Sequence, residues 1–357
     1  WLNVAMIASL GGAGLHYAST PLGEVHWLCA GVLVGGFFQM SVPAVVLVRL
    51  GWRPHFTLQL PPGVRQVARL MLPGLLGTAI YQINIFVSRI LAFSLPISAA
   101  TMMFYANRLM ELPIGVFAIA IATVVYPLLA RHAAQGDMKA MSRDFHRGLR
   151  LILAINVPAA VGLGLLSEPI VRLLYQRGQF TADNTALMAP LLSLFVIGMP
   201  LFSISSLTVR AFYSIKDTKT PVRVALIDFV LNLVLSLVLK RVLGAYGLVL
   251  ASTTAILVQT ILLQVALTRR LPGLAFGSHW GTVMKIVVAT ALMAGLVWFG
   301  WHELQGFGLG RRADLIAVVG LIPLGVAVYG VALWMLRIEG REELWALVMR
   351  RPLKPNA

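Results

Sequence analysis

Polar residues along this chain come in short clusters that interrupt a nearly continuous apolar text, and the apolar stretches between them set the architecture. Runs near 1–18, 26–49, 66–93, 98–130, 148–167, 186–213, 222–240, 246–268, 284–302 and 314–336 are long enough to be read as membrane crossings, since a hydrocarbon core of about 30 Å needs roughly 20 residues of helix. They predict about ten membrane helices. Lipid offers the backbone no hydrogen bonds, and the alternating pattern of barrel strands is absent, so the expected fold class is all-α, a polytopic transmembrane helix bundle.

Composition agrees with this picture. The 357 residues are 59% hydrophobic and 12% charged, more apolar than a soluble domain. A net charge of +16 raises the question of nucleic acid. The basic residues, however, are scattered singly between spans without interleaved stacking aromatics, which argues against that partner. The single cysteine, Cys29, builds neither a disulfide nor a thiolate metal site within one chain, and the seven histidines show no ligand spacing. No phosphate loop of the G-x-x-x-x-G-K-[ST] type and no G-x-S-x-G elbow occur, so the expectation is a transporter and not an enzyme, with no organic cofactor. The chain opens at Trp1, already inside an apolar run, and reads as a fragment lacking an N-terminal part.

Lysine and arginine sort the loops. One set holds Arg49, Arg53, Arg65 and Arg69, then Arg131, Lys139, Arg143, Arg147 and Arg150, then Lys216, Lys219, Arg223, Arg269, Arg270 and Lys285, and the tail after 337; the other holds only Arg172, Arg177, Lys240, Arg241, Arg311 and Arg312. The bias, roughly 20 against roughly 6, predicts a cytoplasmic C-terminus. Within these connections, 131–147 reads either as an interfacial amphipathic segment or as a solvated loop, and Glu168–Asp183 as a short outer element.

Five ionisable residues fall within or at the ends of spans: Arg89, Arg108, Glu111, Arg210 and Asp228. The densest cluster is Tyr105-Ala106-Asn107-Arg108-Leu109-Met110-Glu111-Leu112-Pro113. Arg108 and Glu111 share a helix face. Two readings stand: a structural intrahelical pair, or an arginine facing water that binds an anionic head group while Glu111 orients it. Arg89 continues a polar stripe with Gln82, Asn84 and Ser88, and either lines a cavity or snorkels. Asp228 and Asn232 stand one turn apart, placed either to hold a cation with Ser252 or to bond neighbouring helices, the latter slightly favoured. Arg210 reads as an anchor near a cytoplasmic end. Pro113 and Pro127, with Gly115 between them, predict a loosened helix ladder.

The cluster from Tyr105 runs on through Gly115-Val116-Phe117 to Ala122-Thr123-Val124-Val125-Tyr126-Pro127. With Arg210-Ala211-Phe212-Tyr213-Ser214-Ile215-Lys216-Asp217-Thr218-Lys219-Thr220-Pro221, and with Gln82-Ile83-Asn84 followed by Arg89-Ile90-Leu91-Ala92, it resembles the MurJ (MviN) family of lipid II flippases, in the multidrug/oligosaccharidyl-lipid/polysaccharide exporter superfamily. The resemblance implies a fourteen-helix, two-lobe transporter fold. This chain then supplies the last two helices of the N-terminal lobe (1–49), a cytoplasmic linker (50–64), the C-terminal six-helix lobe (65–268), a helix pair (283–337) and a cytoplasmic tail (338–357).

The function so implied is movement of undecaprenyl-pyrophosphate-linked peptidoglycan precursor (lipid II) from the inner to the outer leaflet by alternating access. The alternative is export of another lipid-linked oligosaccharide or a drug. Arg108, Glu111, Asn107, Arg89 and Tyr105 are the candidate substrate-binding residues. Ser88, Asp228, Asn232 and Ser252 are candidates for a monovalent ion, Na+ or Cl-, although the serine at 88 stands where some relatives carry an acid. Lipid II, membrane lipids and other cell-wall synthesis proteins are the implied partners.

Overall fold

The structure, a computed structural model, describes residues 2–17, 20–51, 62–274, 280–308 and 310–337. Most of the predicted linker 50–64 and all of the tail 338–357 lie outside them. The described residues are helical throughout, with no strand. Eight helical stretches are long and apolar enough to cross a membrane, and Leu2–Gly12 and Ala79–Phe93 are shorter apolar helices. The protein is a multi-pass membrane protein.

The chain divides into two units, Trp1–Val67 and Ala68–Ala357. In the first, α1 (Leu2–Ile7), a π-helical stretch (Ala8–Gly14) and α2 (Leu15–Tyr17) pack along α3 (Pro21–Arg49). Thr20 caps α3 through a hydrogen bond from the Gly23 N–H. The contact is close because a Cβ at Gly35 would lie 2.8 Å from the Leu2 Cα. Small residues at such positions let apolar helices associate through backbone proximity where lipid supplies no hydrophobic drive.

In the second unit α4 (Pro62–Phe93) is followed by α5 (Ile97–Pro113), a π-helical stretch (Ile114–Ile119) and α6 (Ala120–Gln135). Next come α7 (Met138–Leu165), the short α8 (Ser167–Tyr175), α9 (Ala182–Phe195), α10 (Gly198–Ser214), α11 (Lys219–Leu243) and α12 (Ala245–Arg270). The last are α13 (Trp280–Gly306), α14 (Arg311–Ile316), a π-helical stretch (Ala317–Leu321) and α15 (Ile322–Met335). The segment 131–147 is no separate interfacial helix. α6 ends at Gly136 in the left-handed conformation, Asp137 caps α7 by accepting from the Ala140 N–H at 2.9 Å, and α7 then runs into the core.

α7 is the core helix: Met141, Phe145, Leu149, Ile152 and Ala154 are buried against α6, α10 and α13. Pro158 in the same helix has no N–H to give to the Ala154 carbonyl four residues back. The Tyr329 hydroxyl of α15 fills that vacancy, donating to Ala154 at 2.6 Å. α8 is fastened similarly, since Arg172 pairs with Glu168 in its own helix and with Asp314 of α14 at 2.9 Å. The terminal helices are thereby bonded into the second unit at two depths.

Candidate functional site

Phe104, Arg108 and Glu111 stand on one face of α5. Arg108 Nη1 donates to Glu111 Oε2 at 2.7 Å, and Asn107 Nδ2 donates to Glu111 Oε1 at 2.7 Å. The guanidinium carbon lies 5.1 Å from the Phe104 ring centroid. The cation is thus held between an aromatic face one turn before it and a carboxylate one turn after. Both side chains of the pair stay open, 54% exposed for Arg108 and 46% for Glu111. Nε and Nη2 of Arg108 make no hydrogen bond to the described residues. An exposed pair of this kind is worth about 1 kcal/mol at most. A dianionic phosphate group approaching the free edge of the fork competes easily with that.

Directly beyond Pro113 the ladder widens into the π-helical stretch Ile114–Ile119 before α6 resumes. Pro113 removes a donor, and the wider turn lets the helix continue with its phase changed. Phe117 and Ile119 within it, and Thr123 and Tyr126 beyond it, are exposed.

Tyr105 is turned away from this face. Its ring packs on Tyr175 with centroids 5.1 Å apart, and Tyr175 stacks on Phe180 at 5.8 Å, so the three rings hold the turn after α8 against α5. Burial, helped by Tyr105, raises the Tyr175 phenol above the usual tyrosine range, which keeps it neutral. Arg89 is exposed on α4.

Ser88, Asp228 and Asn232 come together between α4 and α11. Asn84 Nδ2 donates to Asp228 Oδ2 at 3.1 Å, and Asn232 Nδ2 donates to Asn84 Oδ1 at 2.7 Å and to Ser88 Oγ at 3.2 Å. Ser236 donates to Asn232 Oδ1 at 3.3 Å, and Lys240 Nζ reaches Ser94 Oγ at 2.8 Å. Ser252 instead bonds its own helix at the Val249 carbonyl, 2.8 Å away. Three of the oxygens a cation would need, on Asn84, Asn232 and Asp228, already accept from amide or hydroxyl donors. The seam is an interhelical hydrogen-bond ladder. Among the described residues no group of three or more His, Cys, Asp or Glu gathers for a metal.

Several polar contacts escaped sequence reasoning. Asp314 is fully buried and bound by Arg172; its only signal was a lone acid behind two arginines at the head of an apolar run. His132 meets Asp144 at 2.9 Å across the α6–α7 turn, and Gln264 Nε2 of α12 donates to Thr208 of α10 at 2.9 Å. Arg210 does not extend toward the helix end as an anchor does. Its Nη1 turns back one turn to Ser206, 2.6 Å from Oγ.

From residue 1 to residue 316 the chain that folds into this bundle is matched by the family model described as lipid II flippase MurJ. The chain belongs to the MurJ family. The probable MurJ lipid II flippase of Rhizobium tropici is 31% identical over 345 residues, covering 94% of this chain and 63% of that protein. That of Vibrio cholerae serotype O1 is 31% identical over 355 residues, covering 95% and 64%. This chain therefore spans somewhat over six tenths of the curated MurJ relatives it matches. A solved structure of lipid II flippase MurJ in an inward closed conformation superposes with a TM-score of 0.72 at 22% identity, over 98% of this chain and 67% of that one. An outward-facing multidrug resistance MATE family transporter superposes at 0.53 with 13% identity, over 74% and 63%, which extends the likeness of fold to the MOP superfamily.

Proposed function

We propose that the protein works as a flippase in the bacterial cytoplasmic membrane, carrying lipid II from the inner to the outer leaflet by alternating access. The observation that carries this reading is the exposed, oriented Arg108 guanidinium, with donors to spare on an otherwise apolar helix. Facing acyl chains within the hydrocarbon core, an arginine is costly on insertion scales. Facing a hydrated passage, it loses that penalty and gains an anionic guest. Arg108 contacts the pyrophosphate, Glu111 and Phe104 fix its plane, and Asn107 fixes Glu111. The head group crosses in the passage while the polyprenyl tail stays in lipid, so no charged group meets hydrocarbon.

Membership of the MurJ family supports lipid II as the cargo, and the lysine and arginine bias supports a cytoplasmic C-terminus. Binding of the intact, reconstituted protein to lipid II and to other polyprenyl-linked glycans tests the assignment. Preference for lipid II is expected; preference for a different glycan carrier, or for a cationic drug, assigns another cargo of the superfamily.

A further inference from the structure

We propose that Arg210, Ser206 and Tyr213 of α10, with Tyr126 of α6, form a second anion-binding station, which takes the diphosphate of a lipid carrier at the opposite end of the α5–α6 rod from Arg108. The inference rests on the flippase reading above and adds an entry site to it.

Arg210 lies four residues before the end of α10, where a basic side chain ordinarily reaches out to the interface. Here it reaches inward, with Nη1 2.6 Å from Ser206 Oγ and 3.4 Å from the Ser206 carbonyl. Both partners are neutral. No carboxylate among the described residues pairs with this guanidinium. Residues 206, 210 and 213 share a helix face. Tyr213 is 37% exposed, as is Tyr126 on the packed neighbour α6, where Val125 of α6 and Leu207 of α10 meet at Gly148. A partly buried cation without a counter-charge, flanked by two accessible hydroxyl donors, lacks only an acceptor-rich anion.

The placement gives the station a role. Arg108 and Tyr126 are eighteen positions apart along α5 and α6, or about 27 Å at the helical rise, most of a hydrocarbon core of about 30 Å. The basic loops assign the Tyr126 end to the cytoplasmic side. The two stations also differ in strength of charge. Arg210 meets only neutral groups, whereas Arg108 already shares its charge with Glu111. Stronger holding at the inner end raises occupancy there, and weaker holding at the outer end eases release.

The test is the affinity of the intact protein for undecaprenyl diphosphate, which carries no sugar or peptide, in phosphatidylcholine nanodiscs. Arg210→Gln is expected to weaken binding about tenfold or more, Arg210→Lys less, and Tyr213→Phe about threefold. Parental affinity in a monodisperse Arg210→Gln protein overturns the proposal. If that variant does not fold, the Tyr126→Phe/Tyr213→Phe double variant decides, and unchanged affinity overturns it equally. Phosphatidylglycerol in the discs is expected to leave the probe bound; displacement by it makes the site an ordinary anionic-lipid contact and overturns the assignment. Failure of the parent to bind either undecaprenyl diphosphate or lipid II overturns the flippase reading and this station with it. Parental binding insensitive to Arg210 overturns the station alone.

Discussion

The Tyr329 hydroxyl donates to the carbonyl of Ala154, the carbonyl that Pro158 leaves without a helical donor. A residue in the last helix thus completes the backbone of the core helix 175 positions earlier. Tyr329→Phe should lower stability by about 1–3 kcal/mol, because it orphans a buried acceptor. Pro158→Ala restores the N–H, so the double variant should lose much less than Tyr329→Phe alone. Thermal unfolding of the four proteins in detergent checks this cycle, and strict additivity would refute the coupling.

Arg172 and Asp314 form the second tie to the terminal helices. Asp314 is fully buried, and its Oδ2 has no partner among the described residues. Arg172→Ala leaves a buried carboxylate uncompensated and should destabilise by about 3–5 kcal/mol. Replacing both residues by apolar ones of similar volume should recover most of the loss. Unfolding midpoints of the single and double variants measure it.

The α4–α11 ladder predicts a graded series. Asn232→Leu breaks its bonds to Asn84, Ser88 and Ser236 together, whereas Ser88→Ala removes one acceptor. At about 1 kcal/mol net per bond, the first should destabilise by roughly 2–3 kcal/mol and the second by about 1 kcal/mol or less. Sodium dependence of stability should be weak in the parent. A strong, specific sodium effect abolished by Asp228→Asn would mean that the ladder opens around an ion.

Asp217 supplies a pH prediction. Burial pushes its carboxyl up, but hydrogen bonds from Thr220, the Arg270 charge and the Lys219 N–H outweigh burial and hold it below the ordinary carboxylate range. A depressed native value adds stability that is present above the unfolded value of about 3.9 and lost as pH falls through the native one. Asp217→Asn should therefore lower the unfolding midpoint at pH 7. The difference from the parent should shrink as pH falls below about 4. A difference independent of pH would contradict this.

Hydropathy alone located the ten helical stretches, most within a few residues, because lipid rewards unbroken apolar helix whatever its neighbours are; the polar first turns of α7, from Met138 to Arg147, fell outside the apolar run that marked it. It also marked Arg108, Glu111, Asp228 and Asn232, since charged or amide groups stand out in apolar text. Partners were harder to read. Asn84 and Asp228 lie 144 positions apart and Arg172 and Asp314 lie 142 apart, and no local period links them. Tyr105 stands three residues before Arg108, on neighbouring parts of the helix surface, and the local sequence gives no sign that its ring packs on Tyr175, seventy positions later. Arg210 read as an anchor because position near a span end does not reveal the direction of a long side chain. The π-helical stretch after Pro113 was signalled only as a loosened ladder.

The central claim is that the Arg108 guanidinium is held open for a phosphorylated lipid. It is tested most directly by complementation of a flippase-depleted bacterium with Arg108 variants whose membrane insertion is verified. Arg108→Ala should abolish growth, and Arg108→Lys should support it poorly, because a point charge replaces the bidentate fork. Normal growth with Arg108→Ala at parental protein levels would contradict the account.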